Sequence, residues 1–184
     1  MRVLAVSGSL RAESYNTALV RTAQELAAEG VVIDVYEDLG ALPPYDADAD
    51  GEDGPAAVRD FRERIAEADA LLFVTPEYNG SIPGVLKNAV DWASRPHRKA
   101  ALWGKTVAVA GATTGQYGAM WAQQDLRRVL GIAGARVIGG ELPVARAQDV
   151  FDEAGRLRDP VVAERLRRHL EALVAEARPV ALAA

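Results

Sequence analysis

Short apolar segments alternate along the chain with longer segments in which apolar and polar positions recur at helical spacing. The short segments are almost continuously apolar, as strands buried on both faces of a sheet are. The longer ones place their apolar residues on one stripe, which is typical of helices that cover a sheet. This alternation predicts an α/β fold in which a doubly wound, five-stranded parallel sheet carries helices on both faces. The predicted strands cover residues 3–6, 31–36, 71–75, 106–110 and 136–139.

Proline and glycine mark the ends of the predicted helices. Gly30 ends the first helix, which carries its apolar stripe over residues 19–27. The second opens at Pro55, because proline is preorganised for the first position of a helix. The third starts near Pro83 and ends before Pro96, the fourth covers about residues 118–130, and the fifth follows Pro160. No repeat or linker interrupts the pattern, so we predict a single domain over residues 1–184.

Composition narrows the chemistry. The chain has no cysteine and only two histidines, which excludes disulfides, thiolate chemistry and the usual zinc sites. Redox chemistry would therefore require a bound cofactor, and no catalytic side chain or metal ligand is predicted. The net charge of −5 argues against nucleic-acid binding. No apolar run approaches the ~20 residues of a membrane helix. We therefore expect a cytoplasmic protein that binds neither nucleic acid nor membrane.

The segment after the first predicted strand is rich in short polar side chains. Ligands of open α/β sheets bind beyond the carboxyl ends of the strands, and a helix N-terminus attracts anions. Ser14 or Asn16 alone would serve as a helix cap. Capping explains neither the forked cation of Arg11 nor the number of polar groups, so we favour a site for a terminal phosphate. The residues concerned are Ser9, Arg11, Ser14, Asn16 and Thr17.

Two further strand ends carry turn-forming sequences. After the third strand, Asn79 and Gly80 favour a turn with positive φ that exposes backbone N–H groups. Tyr78 is placed to pack against a planar ring or a partner subunit. After the fourth strand, the small residues of segment 111–118 allow close approach of a flat ligand. Ordinary turns are the alternative interpretation of both segments.

Taken together, these segments resemble one family. The motif GSLRxxSxNxxL begins at Gly8 and the motif PEYNxSxPGxLKNAxDW begins at Pro76. Their order and spacing are similar to those of the NADPH-dependent FMN reductase family, whose members have a flavodoxin-like fold, and the resemblance covers residues 2–144. It implies that the FMN phosphate is held by Ser9, Arg11, Ser14, Asn16 and Thr17. It also implies that the flavin ring is lined by Pro76, Glu77, Tyr78, Asn79, Gly80 and Ser81 and, at its pyrimidine side, by Thr113, Thr114, Gly115 and Gly118.

The resemblance also implies a reaction. NADPH, or NADH as the alternative donor, would pass hydride to the flavin, and a small-molecule acceptor would then take two electrons. Quinones, chromate, azo dyes and free flavin are acceptors of similar proteins. The family further implies a homodimer or homotetramer with the flavin near the dimer interface, to which the helix around residues 86–92 contributes. A flavodoxin-like electron carrier without nicotinamide oxidase activity is the alternative function.

Other polar clusters are interpreted as surface features. Residues 46–51 imitate the opening of an EF-hand loop, but Ala57 stands where the bidentate glutamate is required. The basic residues of segment 95–99 could attract the 2′-phosphate of NADPH, although an exposed loop is the favoured interpretation. His169 is predicted to lie at the surface of the last helix. The tryptophans are candidates for the core or for subunit contacts: Trp92, Trp103 and Trp121.

Overall fold

Strands and helices alternate as the sequence pattern predicts up to the fifth strand, which is followed directly by a sixth strand and then by two helices. The computed structural model describes residues 1–51 and 53–177; residues 52 and 178–184, which belong to the predicted domain, lie outside the described part. The strands are β1 (Arg2–Ser7), β2 (Val32–Tyr36), β3 (Ala70–Val74), β4 (Thr106–Ala112), β5 (Arg136–Val137) and β6 (Leu142–Val144). The α-helices are α1 (Tyr15–Glu25), α2 (Ala56–Glu67), α3 (Gly84–Ala93), α4 (Met120–Ile132), α5 (Ala147–Val150) and α6 (Pro160–Ala177). Two short 3-10 helices cover Leu39–Ala41 and Ala47–Ala49.

All strand pairs of the sheet are parallel, in the order β2-β1-β3-β4-β5, with β6 also paired to β4. This order is that of flavodoxin-like folds, in which the chain reverses direction across the sheet at β1 and β3. The predicted fifth strand, 136–139, is shorter than expected. The first pairing with β4 ends at Val137, Gly140, with φ 80°, lies in the interruption that follows, and pairing resumes at Leu142. The segment around Pro143 was not predicted as a strand because it has only three residues and contains proline.

The sheet separates two apolar layers. Alternate residues of β1 point to opposite sides, so that Val3 joins the layer under α1 and α6, whereas Leu4 joins the layer under α2, α3 and α4. Leu19 and Leu166 fill the first layer, and Phe61 is among the side chains that fill the second. Burial on both faces holds the strands in register and thereby fixes the loops at their carboxyl ends.

Two aromatic or polar side chains lie deeper than the sequence suggested. Trp92 is fully buried, and its indole N–H donates to the carbonyl oxygen of Pro43 at 2.8 Å, so it belongs to the core. The prediction that His169 lies at the surface is wrong. Its side chain is buried on the inner face of α6, and Nε2 lies 3.1 Å from the carbonyl oxygen of Val109. Position 169 lies on the same helix stripe as residues 162, 166, 170 and 173. The prediction failed because a polar side chain on that stripe was interpreted as a surface residue.

Two charged clusters lie outside the strand ends, and the acidic one has local partners. Asp46 caps a 3-10 helix by accepting from the N–H of Asp48, and Asp50 pairs with Arg62 at 2.8 Å. The basic segment 95–99 follows the C-terminal end of α3, whereas the first residue of that helix adjoins the loop after β3. None of the helices in the described part of the chain is long and apolar enough to cross a membrane.

Candidate active site

Three loops meet at one edge of the sheet because β1, β3 and β4 are neighbours. Ser7 pairs with Val74, and Val74 pairs with Ala110, so β1 and β3 end at the same level and β4 runs two residues farther. The backbone N–H of Gly8 donates to Val74 at 2.8 Å, and that of Thr75 donates to Ala110 at 2.9 Å. The three segments singled out in the sequence are therefore brought together at the carboxyl edge.

The polar segment after β1 forms the start of α1. Ser14 is the N-cap, and its hydroxyl accepts from the N–H of Asn16 at 3.2 Å and that of Thr17 at 3.5 Å. The Asn16 side chain is buried and clamps α1 to β4, because its amide both donates to and accepts from the backbone of Ala112. The Thr17 hydroxyl is 3.0 Å from that of Ser7. Capping and clamping thus account for part of the polar set that the sequence places here.

Ser9 and Arg11 face outward beside this helix start. The N–H of Arg11 points to the Ser9 hydroxyl at 3.4 Å, and the Arg11 side chain is exposed. Among residues 1–51 and 53–177, no carboxylate lies in ion-pair distance of the Arg11 guanidinium. A forked cation without a carboxylate partner at a helix N-terminus suits a phosphate dianion.

Two cavities flank the Arg11 loop. One of about 400 Å³ reaches toward Asp152, and one of about 470 Å³ reaches toward Tyr36. Arg21 lines both cavities together with Arg11. Sequence reasoning missed Arg21. Its position four residues after Thr17, hence on the same face of α1, is the signal that could have found it.

A larger cavity, of about 520 Å³, lies between the C-terminal end of α1 and α6. Its walls include the apolar side chains of Val3, Ile33, Leu170 and Leu173. It lies at the edge where the strands begin. Its cationic lining residue, Arg167, is already paired with Glu164 at 2.7 Å, so the cavity suits a phosphate poorly. We therefore place the functional site at the opposite edge, with the three loops.

The segment after β3 forms a tight two-residue hairpin. The backbones of Tyr78 and Ser81 exchange two hydrogen bonds, of 3.0 and 3.1 Å. Asn79 and Gly80 form the tip, are exposed, and have φ values of 53° and 75°, which confirms the predicted turn with positive φ. The hairpin follows Pro76, which is buried where the loops meet.

Gly8 explains why the loops after β1 and β3 approach so closely. A Cβ atom at Gly8 would lie 2.8 Å from the Leu86 side chain and 3.3 Å from Pro76. A Cβ at this position would require the Leu86 side chain to shift, so glycine allows the close approach. The polar segment after β1 and the hairpin after β3 therefore form adjacent walls of the candidate site.

The loop after β4 is fastened to the chain after β6. Thr113 exchanges backbone hydrogen bonds with Val144 and Ala147, and the carbonyl oxygen of Gly115 accepts from the N–H of Arg146 at 3.0 Å. Thr114 and Gly115 remain exposed. Gly118 instead is buried against β6, so close packing explains the glycine at this position.

Glu77 and Ser81 connect the hairpin to α4. One carboxylate oxygen of Glu77 accepts from the backbone N–H of Ala122 at 3.1 Å, and the Ser81 hydroxyl donates to Asp125. Glu77, for which the resemblance predicts a ring contact, thus accepts a hydrogen bond from α4. Asp125 has no motif of its own, and its pairing with a residue 44 positions away could not be foreseen from sequence.

The residues at this edge fit FMN. Arg11, the Ser9 hydroxyl and the N-terminus of α1 supply donors for a terminal phosphate. The left-handed tip at Asn79 and Gly80 and the exposed segment at Thr114 and Gly115 present backbone rather than bulky side chains to a planar ring. The fold and this arrangement of loops define a flavodoxin-like, FMN-dependent oxidoreductase.

Comparison with known proteins agrees with that class. The chain belongs to the NADPH-dependent FMN reductase family, whose model matches residues 1–149. The predicted family, the fold and the use of FMN and NAD(P)H are thereby confirmed.

Individual relatives cover most of the chain. A protein of Pseudomonas aeruginosa named NAD(P)H-dependent FMN reductase is 43% identical over 174 residues, which are 94% of this chain and 93% of the relative. A protein of Pseudomonas putida named quinone reductase is 40% identical over 158 residues, 85% of this chain and 84% of the relative. The solved structure of FerB, a flavoenzyme NAD(P)H:(acceptor) oxidoreductase from Paracoccus denitrificans, superposes with a TM-score of 0.84 at 35% identity and covers 96% of both chains.

Proposed function

We propose that this oxidoreductase reduces quinones, with FMN held across the loops after β1, β3 and β4. NADPH is the proposed hydride donor and NADH the alternative. The proposal rests on one observation: the exposed Arg11 guanidinium and the exposed backbone turn at Asn79 and Gly80 lie at the same edge of the sheet. The names of similar proteins support a quinone as the acceptor. Chromate, azo dyes and free flavin are the other acceptors to be compared.

The phosphate end of the site is assigned to the start of α1. Arg11 would bind the phosphate through its guanidinium, and the hydroxyls of Ser9 and Thr17 would add neutral donors. Ser14 and Asn16 would support the site without contacting the phosphate, because Ser14 caps the helix and Asn16 fixes it against β4. This division keeps all five predicted residues at the phosphate end but gives them different tasks.

The ring end is assigned to the loops after β3 and β4. FMN supplies the redox chemistry when bound, accepting hydride from NAD(P)H and yielding two electrons to the acceptor. Backbone N–H groups near Asn79 and Gly80, and near Thr114 and Gly115, would stabilise negative charge at the ring edge. Pro76 is buried beneath the hairpin and would form the rigid base of the ring site.

The proposed assembly is a homodimer or homotetramer with the flavin near the subunit interface. The outward face of α4 supports it, because large apolar side chains there are half or more exposed. Tyr117 and Trp121 pack with ring centroids 4.8 Å apart and are 53% and 50% exposed, and Ile132 is 71% exposed. Trp92, in contrast, is buried in its own subunit and is not available for such contacts.

A turnover assay tests the proposed activity. The purified protein, loaded with FMN, should oxidise NADPH in the presence of 1,4-benzoquinone and form one hydroquinone per nicotinamide. Parallel assays with NADH, chromate and an azo dye would rank the donors and acceptors. Failure to oxidise either nicotinamide with FMN bound would contradict the proposal and favour the electron carrier.

Replacing Arg11 tests the phosphate assignment. Arg11→Ala should weaken FMN binding by about 1.5–3 kcal/mol, or roughly tenfold to a hundredfold, because a charge-assisted hydrogen bond is lost. Riboflavin, which lacks the phosphate, should bind the variant as it binds the unmodified protein. Fluorescence titration of the apoprotein measures both affinities. Arg165→Ala, which removes an exposed cation of α6, is the matched control. Equal FMN affinity in the two variants would place Arg11 outside the site.

A further inference from the structure

Two hydrogen bonds link the hairpin after β3 to α4, the helix that follows the loop on the other side of the ring site. The Ser81 hydroxyl donates to the Asp125 carboxylate, and the Glu77 carboxylate accepts from the N–H of Ala122 at 3.1 Å. Ala119, at the N-cap position of α4, has φ 59° and no side-chain cap. Glu77 therefore satisfies a helix donor that the helix's own cap residue leaves free.

Asp125 is held in its ionised form on α4. It accepts the Ser81 hydroxyl and pairs with Arg128 at 2.6 Å, and these two partners lower the pKa of its carboxyl group. An ionised carboxylate can only accept hydrogen bonds. The hydroxyl hydrogen of Ser81 therefore points to Asp125, and the free lone pairs of Ser81 can only accept from a ligand.

The hairpin needs such support to stay in one conformation. Two backbone hydrogen bonds close it, and both tip residues, Asn79 and Gly80, are exposed in left-handed geometry. An isolated two-stranded hairpin is at best marginally stable in water, and this one is shorter than most. A loop that is already ordered before its ligand binds loses less entropy on binding.

We propose that Asp125 is a positioning residue of the flavin site. By holding Ser81 as an acceptor and the hairpin against α4, it sets the affinity of the site for the flavin ring and leaves the affinity for the phosphate unaffected. This inference rests on the FMN site proposed above. It assigns a role to a residue on a helix that carries none of the matched motifs.

Affinities of the apoprotein for FMN and for riboflavin, measured by fluorescence titration, test this role. Asp125→Ala should weaken both about tenfold, the free-energy equivalent of one strong hydrogen bond, and leave their ratio unchanged. Arg11→Ala should change the ratio instead. Asp125→Asn keeps an acceptor for the Ser81 hydroxyl, so its affinities for FMN and riboflavin should fall less than those of Asp125→Ala. Asp60→Ala, which removes another helical aspartate paired within its own helix, should change neither affinity.

A double-mutant cycle separates coupling from independent contacts. If Asp125 acts through Ser81, the Ser81→Ala and Asp125→Ala effects on riboflavin affinity should not add in the double variant. Additive losses, or unchanged riboflavin affinity in Asp125→Ala, would overturn the inference. Should Asp125→Ala fail to fold, Ser81→Ala decides alone, because unchanged riboflavin affinity would show that the linked hydroxyl does not matter. Failure of the unmodified protein to bind FMN would contradict the proposed function itself.

Discussion

His169 is a polar residue that the fold places among apolar neighbours. It lies on the inner face of α6, and because a carbonyl oxygen only accepts, its Nε2 carries the hydrogen that is donated to Val109. Burial is the main cause that lowers the pKa of His169 below its ordinary value of 6.5, and the bond to Val109 opposes the shift in part. The neutral imidazole is therefore the form that the folded protein accommodates.

A pH dependence of stability follows from this side chain. Below about pH 6.5 the unfolded chain binds a proton at His169 that the folded protein binds only at lower pH. The free energy of unfolding should therefore fall as the pH decreases through that range, and its histidine contribution should be complete above it. Urea unfolding at pH 7.5 and 5.5 measures the effect. His169→Gln, which keeps a donor for Val109 without a titrating ring, should show a smaller loss. An equal loss in both proteins would assign the acid sensitivity to other groups.

Loops at the site depend on contacts between elements. The loop between β4 and α4 contains two glycines, and only one of them lacks room for a side chain. Gly118 has φ 60°, and an added Cβ would lie 2.7 Å from Pro143 and 2.8 Å from the Val144 nitrogen. Gly115 has its nearest Cβ neighbour, the Thr113 side chain, at 3.8 Å. The sequence offers both glycines as ligand contacts, whereas the packing on β6 distinguishes them.

Alanine substitutions should separate these two glycines. Gly118→Ala should lower the free energy of unfolding by about 1–3 kcal/mol, because the backbone conformation and the contact with Pro143 are both strained. Gly115→Ala should change stability little, and any effect should appear in FMN affinity. Urea unfolding and flavin titration of both variants provide the comparison. Equal stability of the two variants would show that the approach of the loop to β6 is not required.

The whole molecule presents a face whose apolar residues remain uncovered. Tyr117, Trp121 and Ile132 lie on the outward side of α4 or just before it, and each is at least half exposed. Burial of side chains of this size is worth about 1.5–3 kcal/mol each. This face is therefore the first place to test for the proposed self-association.

Charged substitutions on this face should dissociate the proposed assembly. Trp121→Glu and Ile132→Asp should each lower the mass observed by sedimentation, because charges replace apolar groups at the subunit contact. Val161→Asp, at an equally exposed apolar position of α6, should leave the mass unchanged. A monomeric unmodified protein would refute the assembly, and unchanged masses in the α4 variants would move the contact to another surface.

Local patterns were sufficient for the architecture and for identifying the loops that form the candidate site. Apolar runs predicted the main strands because parallel strands are buried on both faces, and two motifs identified the loops that follow β1 and β3 because short polar side chains and an Asn-Gly turn act through nearby backbone. The assignments of Ser14 as a helix cap and of Asn79 and Gly80 as a left-handed turn needed only neighbouring residues.

Contacts between distant segments needed the folded chain. The clamp of Asn16 on Ala112, the link of Ser81 to Asp125 and the burial of His169 against Val109 join residues separated by 96, 44 and 60 positions. Polarity and periodicity within one segment carry no information about such partners. Packing of the helices on the sheet decides which polar groups meet, and hence which predicted site residues are free for a ligand and which support the loops from behind.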